Sequence, residues 1–142
     1  PARSMLINGA MKVLTALDWL DEPIHYSKTL TDTVLSSPPV SEGCDLVDSI
    51  YVLFRCIQQQ NYRRSEVDSY LLNCLEMIGQ HLRVDGGLSY SANRAQKWYY
   101  GMPVSKGLKE SDVHGTLLLS WALVMIAHVC FPGRYHWNVI RP

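Results

Sequence analysis

The segments VDGGLSY at positions 84–90 and SDVHGTLLLSWALVMI at positions 111–126 decide the fold of this chain. In the first segment, an aspartate and two glycines end a helix, because glycine adopts turn conformations that other residues avoid. The second segment opens with polar residues and continues as an apolar run, which is typical of a helix that enters a protein core. A similar opening occurs earlier, in SEGCDLVDSIYVLFRCI at positions 41–57. This recurrence predicts helical hairpins that stack side by side.

Hydrophobic periodicity on either side of these segments predicts five main helices, and no segment has the alternation of a convincing strand. The first two helices run from about Ser4 to Leu20 and from about Ser27 to Ser36. The third and fourth begin at caps, Ser41 and Ser65, each followed by acidic residues that suit a helix start. The fifth helix begins in the second segment quoted above.

The spacing of apolar residues predicts which helix faces form the core. The fifth helix is apolar on nearly every side from Leu117 to Ala127, which predicts that it is buried on every side. The predicted core positions of the first helix are Leu6, Ala10, Val13, Leu14 and Leu17, and those of the fourth are Val67, Leu71, Leu75, Ile78 and Leu82.

The composition indicates one globular domain without a strong electrostatic field. The 142 residues are 47% hydrophobic and 18% charged, so we expect several helices to be buried on more than one side. The formal net charge is zero, and no long-range field attracts a polyanion. We therefore expect no nucleic-acid partner.

The cysteines and the longest apolar run bear on the cellular compartment. Cys44, Cys56, Cys74 and Cys130 lie in apolar helical patterns and form no CxxC pair. This favours buried free thiols in a reducing compartment over disulfides, and predicts a cytoplasmic location. The apolar run from Leu117 to Phe131 is shorter than the roughly 18 residues of a membrane span, which predicts a buried core helix and no transmembrane segment.

A long connection of about 25 residues separates the fourth helix from the fifth, far more than bundle helices usually need. Such a segment either overhangs a pocket that the helices hold, or covers the end of the helical array as an aromatic plug. Its aromatic residues Trp98, Tyr99 and Tyr100 are candidate ligand contacts, with Arg94 and Lys106 beside them. Arg94, Lys97 and Lys106 are the candidate counter-charges for an anionic group.

With these residues in view, the chain resembles the terpenoid cyclase and protein prenyltransferase superfamily, which is built of prenyltransferase and squalene oxidase-type repeats. The resemblance rests on VDGGLSY at 84–90, on SDVHGTLLLSWAL at 111–123 and on CDLVDSIYVL at 44–53. It implies an all-α fold, a partial α/α toroid in which inner helices surround a central cavity. Residues 1–142 would form a single toroid-like domain, the C-terminal portion of a longer chain.

The length of the chain has a consequence for partners under this resemblance. A complete toroid has about six hairpins, whereas this sequence supplies two hairpins and one further helix. The open helical faces would then be covered by the remainder of a longer chain or by another subunit, unless the segment CFPGRYHWNVIRP at 130–142 folds back over one of them.

The resemblance also implies a candidate zinc site. Protein prenyltransferases hold zinc with an Asp-x-Cys element at one inner-helix start and a histidine at a later one, and Glu42-Gly43-Cys44 with His114 resemble a degraded version of that set. Carboxylate, thiolate and imidazole are suitable zinc ligands. The alternative explanation is structural: a helix-start carboxylate, a buried thiol and a polar histidine account for the same residues without a metal.

Three aspartates at the presumed inner-helix starts are the candidate catalytic residues. Asp45 and Asp48 lie three positions apart on nearly one helix face, and Asp112 occupies the position equivalent to Asp45 in the later helix. Cyclases of the resembled superfamily use DxDD as a proton donor or DDxxD to hold Mg²⁺, and this chain has only DLVD. The alternative is that one aspartate stabilises the helix start and the other is solvated.

These observations predict one functional region and leave its activity open. We expect a cavity where the helix starts at 44–48 and 112–114 face the loop at 90–100, with Tyr51 as a further aromatic wall. The first hypothesis is a terpenoid-cyclase-like or prenyltransferase-like domain that takes a hydrophobic or prenyl ligand, with a bridging Zn²⁺ or Mg²⁺ for a diphosphate. The alternatives are a non-catalytic helical-repeat binding module and a helical-barrel domain that acts on carbohydrate.

Overall fold

Five α-helices make up most of the structure, a computed structural model that describes residues 2–142. The prediction of a mainly helical chain is confirmed, whereas the prediction of no strand is wrong by one short hairpin inside the long loop. In chain order the elements are α1 (Arg3–Trp19), α2 (Ser27–Leu35), α3 (Gly43–Gln59), α4 (Arg64–Gly79), β1 (Trp98–Tyr99), β2 (Met102–Pro103) and α5 (Val113–Cys130).

The helices form two layers. One layer contains α1, α3 and α5, and the other contains α2 and α4. Within the first layer α3 packs against both neighbours, while α1 and α5 do not pack against each other anywhere in residues 2–142. The core therefore lies on both sides of α3, which contributes more buried side chains than any other described helix.

Polar contacts between helices establish their directions. Asn8 Nδ2 donates to Asp48 Oδ2 at 2.7 Å near the starts of α1 and α3, and Arg55 pairs with Asp18 farther along both helices, so these helices run parallel. Gln59 Nε2 at the end of α3 donates to the Ile24 carbonyl, just before α2, at 2.7 Å. The neighbours α2 and α3, which lie in different layers, are thus antiparallel, as expected of consecutive hairpins.

The segment after α5 folds back over the first layer. Residues 131–142 contain no helix or strand and run from the end of α5 towards the end of α1. Trp121 Nε1 donates to the Ile140 carbonyl at 3.1 Å, and Arg141 Nη2 donates to Asp21 Oδ1 at 2.6 Å. This C-terminal tail therefore connects α5 to α1 across α3.

Two predicted helix caps are wrong. The third helix begins one residue later than predicted, with Glu42 at its cap, and the Ser41 hydroxyl instead lies 3.2 Å from His81 Nε2. The fourth helix already includes Ser65, so the predicted capping box does not form. Its acidic member, Asp68, accepts from Arg64 Nε at 2.8 Å, an i,i+4 ion pair on the helix surface.

Three predicted core faces need correction. The buried face of α1 is Ile7, Leu14 and Asp18, whereas Leu6 and Val13 are exposed, because α1 packs only on its α2 and α3 side. Leu82 is exposed beyond the end of α4. The fifth helix is not buried on every side, since it packs against α3 and α4 and leaves Leu117 exposed on another face.

The apolar length of α5 leaves the membrane prediction untested. This helix is long and apolar enough to cross a membrane, with a mean hydropathy of 1.7 over Val113–Cys130, and 39% of that segment is buried inside the structure. The same properties are found in the core helices of many globular proteins. The absence of a transmembrane segment therefore stays a prediction.

The cysteines are free thiols, as predicted. Cys56 and Cys74 are buried, whereas Cys44 and Cys130 are half-buried. Burial raises the pKa of Cys56 to about 11 and that of Cys74 to about 12, so both are protonated at neutral pH. Their role in this structure is that of small apolar core residues.

The two faces of α5 provide a test of the layer arrangement. Leu119 is 0% exposed and Leu117 is 68% exposed, although both lie in the same apolar run. We expect Leu119→Asp to lower the free energy of unfolding by at least about 3 kcal/mol, because it buries an unpaired charge. Leu117→Asp, the matched control, should cost less than about 1 kcal/mol. Urea titration followed by circular dichroism measures both, and equal losses would contradict the one-sided burial of α5.

Candidate ligand-binding site

The starts of α3 and α5 meet on one short segment, Ser89–Tyr90. The Gly43 backbone N–H donates to the Tyr90 carbonyl at 3.1 Å, which attaches the segment to the first turn of α3. On its other side, the Tyr90 backbone N–H donates to Asp112 Oδ2 at 2.7 Å, the cap position of α5. The segment therefore holds the two helix starts side by side, as the sequence predicted.

The Asp112 carboxylate organises the loop as well as the helix start. Oδ1 accepts from the Gly115 N–H at 2.6 Å, the usual capping contact, and Oδ2 accepts from both the Tyr90 and the Gln96 N–H groups. Gln96 lies at 2.9 Å in the middle of the long connection. Three backbone donors therefore share the carboxylate, which gives Asp112 a structural role, while its catalytic role stays a prediction.

Two glycines allow the backbones to approach so closely. A Cβ atom added at Gly115 would lie 2.3 Å from Tyr90 N, and one at Gly43 would lie 2.7 Å from the Tyr90 ring. The first contact is with backbone, which cannot move aside as a flexible side chain can. Both helix starts thus require glycine because the Ser89–Tyr90 segment is wedged between them.

His114 is held between two tyrosine rings beside this wedge. Its ring stacks on Tyr90 with 5.2 Å between centroids and meets the edge of Tyr99 at 5.4 Å. His114 Nδ1 lies 2.8 Å from Gln96 Oε1, and because that oxygen only accepts, Nδ1 carries a hydrogen. In the neutral ring Nε2 is then the acceptor, so His114 offers a fixed hydrogen-bonding atom.

A pocket of about 410 Å³ opens between the start of α5 and the loop that crosses it. Its wall is mainly apolar, and its polar groups are concentrated around His114. We call this cavity the α5 pocket. Its lining residues are Gln96, Tyr99, Val104, Ser105, Asp112, Val113, His114 and Leu117.

The loop hairpin forms the outer wall of the α5 pocket. β1 and β2 pair antiparallel, and the turn between them places Tyr100 and Gly101 at positive φ, a two-residue turn that matches the twist of the strands. All three aromatic side chains of the hairpin are exposed, but only Tyr99, which meets His114, lines the pocket; Trp98 and Tyr100 do not. The aromatic segment is therefore both a cover for the helix starts and one side of a pocket.

The predicted counter-charges are not at this site. Arg94 and Lys106 are exposed and contribute no lining to the α5 pocket. The ammonium group of Lys97, another basic residue of the loop, lies 6.0 Å from the centre of the Trp98 ring, outside the pocket. The structure thus separates the basic residues of the loop from its cavity.

The predicted zinc ligands do not come together. Ser91 Oγ donates to Glu42 Oε2 at 3.1 Å, and His114 pairs with Gln96. Cys44 is half-buried. Burial raises the pKa of its thiol, and a hydrogen bond with the Tyr90 side chain offsets part of that rise. Across residues 2–142, no three His, Cys, Asp or Glu side chains lie close enough to hold a metal ion. The structural explanation of Glu42, Cys44 and His114 fits this arrangement.

The predicted aspartate pair faces α1, away from the α5 pocket. Asp48 is buried beside Asn8, and burial raises the pKa of its carboxyl group while the Asn8 hydrogen bond opposes that shift. Asp45 and Asp48 border a space of only about 10 Å³, roughly enough for one water molecule. The structure therefore brings Asp112 and His114 together, but leaves the DLVD aspartates on another surface.

Tyr51, the predicted aromatic wall, lies in a different cavity. Its ring packs on Trp121 with 5.2 Å between centroids, under the C-terminal tail. The residues that the sequence did not identify at the α5 pocket are Gln96, Val104, Ser105, Val113 and Leu117. Only Val113 and Leu117 carried a usable signal, since their i,i+4 spacing places them on one face of α5.

Comparisons with known proteins give no relatives for this chain: no family model, no curated protein and no solved structure matches it.

The wedge between the helix starts can be tested by adding one methyl group. Gly115→Ala should lower the free energy of unfolding by about 2 kcal/mol or more, because its Cβ would meet the Tyr90 backbone at 2.3 Å. Gly9→Ala is the matched control, since its Cβ meets nothing within 4 Å and alanine favours a helix interior by up to about 1 kcal/mol. Denaturant unfolding measures both changes. A neutral Gly115→Ala would contradict the close approach.

Proposed function

We propose that this chain binds a small apolar ligand carrying one neutral hydrogen-bonding group, and that the ligand occupies the α5 pocket. One observation carries the proposal: a 410 Å³ pocket with an apolar wall contains a histidine whose tautomer and ring position are fixed by Gln96 and two tyrosines. Pockets of this size and lining are typical of small-molecule sites, where a few polar atoms determine orientation.

The charges at the α5 pocket favour a neutral ligand over a diphosphate. Its eight lining residues include one carboxylate, that of Asp112, and neither a lysine nor an arginine. The positive end of α5 is already neutralised by Asp112, which accepts from its first turn. A prenyl alcohol satisfies these conditions, since its chain suits Tyr99, Val113 and Leu117 and its hydroxyl can donate to His114 Nε2.

We propose further that the two layers are an arc of the α/α toroid that the sequence resembles. The parallel α1, α3 and α5 correspond to inner helices, and α2 and α4 to outer ones. The lack of packing between α1 and α5 is what an open arc requires. The exposed side of α5, with Val113 and Leu117, would then be the place where a further hairpin or another subunit is added.

The hydrogen bonds of Asp112 and the small space beside Asp48 favour ligand binding over catalysis. Asp112 already accepts three backbone hydrogen bonds, and Asp48 borders a space too small for a prenyl chain. A cyclase acid must reach the substrate directly. The arrangement thus supports a ligand-binding member of this type of fold, in which the catalytic positions have structural roles.

Isothermal titration with geraniol tests the proposed function. We expect wild type to bind, Leu117→Asp to weaken binding at least tenfold by placing a charge in the wall, and His114→Ala to weaken it about fivefold through loss of one hydrogen bond. Leu72→Asp, an exposed leucine on α4 outside the α5 pocket, is the matched control and should bind as wild type does.

Titration with geranyl diphosphate distinguishes the catalytic hypothesis from the proposed binding of a neutral ligand. With or without Mg²⁺, we expect it to bind no more tightly than geraniol, because the α5 pocket lacks basic side chains. Tighter, Mg²⁺-dependent binding that Asp45→Asn abolishes would overturn the proposal in favour of a prenyl-diphosphate site. Absence of any geraniol binding by folded wild type would leave the non-catalytic helical-repeat module as the explanation.

A further inference from the structure

The loop hairpin has a hydrogen-bonded base and an uncovered tip. At the base, the Ala95 backbone N–H donates to the Leu108 carbonyl at 2.9 Å, and Ala95 itself is buried. The Val104 N–H donates to the Lys97 carbonyl at 2.9 Å, which continues the pairing of β1 and β2 towards the base. All four residues of β1 and β2 are exposed, so the hairpin presents its side chains to solvent.

Large apolar side chains cover this hairpin. Tyr100, at the turn, keeps 92% of its surface in solvent, and Trp98 on β1 keeps 55%. An exposed group of neighbouring apolar side chains indicates an interaction surface. We call this group the hairpin patch, and its members are Trp98, Tyr99, Tyr100, Met102 and Val104.

Tyr100 occupies a turn position that does not suit a tyrosine. Its φ is 47° and that of Gly101 is 80°, as in the two-residue turns in which Asn-Gly is strongly preferred. A tyrosine at positive φ costs free energy, and its ring gains only an edge contact with Tyr99, at 4.7 Å between centroids. An exposed aromatic side chain at a strained position points to a role in binding.

Basic residues dominate the charge of the long loop. Residues 91–111 contain one acidic residue, Glu110, and four basic ones: Arg94, Lys97, Lys106 and Lys109. This gives the segment a formal charge of +3 in a chain whose formal net charge is zero. All four basic side chains are exposed, and within residues 2–142 none of them takes part in an ion pair. The loop therefore has a local positive field that the total charge conceals.

The positive charges lie at the base of the hairpin, next to its aromatic tip. Lys97 directly precedes β1, and a Cβ atom added at Gly107 would lie 3.4 Å from the Lys97 Cβ. Lys106, the residue before Gly107, is therefore also at the base. The Lys97 ammonium group lies 6.0 Å from the centre of the Trp98 ring, where base and tip meet. An apolar tip above basic residues is the arrangement of segments that insert into the interface of an anionic bilayer.

We propose that the loop hairpin docks this protein on the surface of a bilayer that contains anionic phospholipids. Tryptophan and tyrosine are favoured at the depth of the lipid headgroups, because each combines an apolar ring with a polar group. The basic residues at the base would contact the lipid phosphates and carboxylates. A protein partner fits less well, since the five residues of the hairpin patch are far fewer than the roughly 20–30 that each side of a stable protein interface contributes.

The docking surface borders the α5 pocket, because Tyr99 and Val104 belong to both. Docking would therefore place the α5 pocket beside the apolar layer of the bilayer. The proposal goes beyond the ligand proposed for that pocket and does not rest on it, since the hairpin patch and the basic residues are present whatever the pocket binds.

Sedimentation of the full chain with lipid vesicles tests the proposal. We expect wild type to bind vesicles of phosphatidylcholine with about 30% phosphatidylserine, and to bind pure phosphatidylcholine at least tenfold more weakly. Added salt should weaken the binding, because it screens exposed basic groups. Tryptophan emission should shift to shorter wavelength on binding, and Trp98→Phe should remove most of that shift although three of the four tryptophans remain.

Two variants separate the tip from the base. Tyr100→Asn should weaken binding to the anionic vesicles about fivefold, yet leave the melting temperature unchanged or raised, because Asn-Gly suits this turn. Lys97→Gln combined with Lys106→Gln should weaken the same binding about tenfold and reduce its dependence on phosphatidylserine. Tyr26→Asn, at an exposed tyrosine just before α2, is the matched control and should bind as wild type does.

The proposal is overturned if folded wild type does not sediment with the anionic vesicles, or binds both kinds of vesicle equally. It is also overturned if Tyr100→Asn and the double lysine variant both bind as wild type does, since another surface would then be responsible. Failure to bind vesicles, together with dimers in light scattering that Tyr100→Asn dissociates, would assign the hairpin patch to an interface between copies of this chain. Geraniol titration contains no bilayer, so none of these outcomes decides the function proposed for the α5 pocket.

Discussion

The three hydrogen bonds that converge on the Asp112 carboxylate fix the geometry of this molecule around α5. One bond caps the helix through Gly115, and the other two hold Tyr90 and Gln96 of the long connection against the same helix start. An ionised carboxylate is suited to this task, because charge-assisted bonds to backbone N–H groups are stronger than neutral ones and each oxygen accepts more than one. The position of Tyr90 between α3 and α5, and with it the α5 pocket, follows from this single group.

The two cavities differ in chemistry as well as in position. At the helix starts, the wedge and the hairpin create an apolar pocket around a fixed imidazole. At the helix ends, the tail encloses a polar cavity in which two guanidinium groups share Asp18. Between the two cavities runs α3, which is buried along most of its length. The layer of α1, α3 and α5 thus has one cavity at each end.

Much of the fold followed from the sequence, because periodicity and turn residues act locally. The five helices and the meeting of two helix starts with the aromatic loop were predicted from 41–57, 84–90 and 111–126. The burial of α5 was overestimated, since the hydropathy of its side chains does not show which other elements pack against them. Asp112 was correctly placed at a helix start, but its acceptance of the Tyr90 and Gln96 amides is a tertiary contact that no local pattern predicts. The Asp18–Arg55 pair and the cavity under the C-terminal tail gave no local signal either.

Amide hydrogen exchange of Tyr90, Gln96 and Gly115 in wild type and in Asp112→Asn tests the central role of this carboxylate most directly. The three amides should be protected in wild type almost as strongly as the α3 core. In Asp112→Asn the Tyr90 and Gln96 amides should lose protection together, and the free energy of unfolding should fall by about 2 kcal/mol, because the nitrogen that replaces Oδ2 cannot accept. The remaining oxygen can still accept from Gly115, so that amide should keep its protection. Asp45→Asn, at the start of α3, should leave all three protected. Wild-type amides that exchange as fast as those of exposed loops, or an Asp112→Asn protein with unchanged protection, would contradict the account.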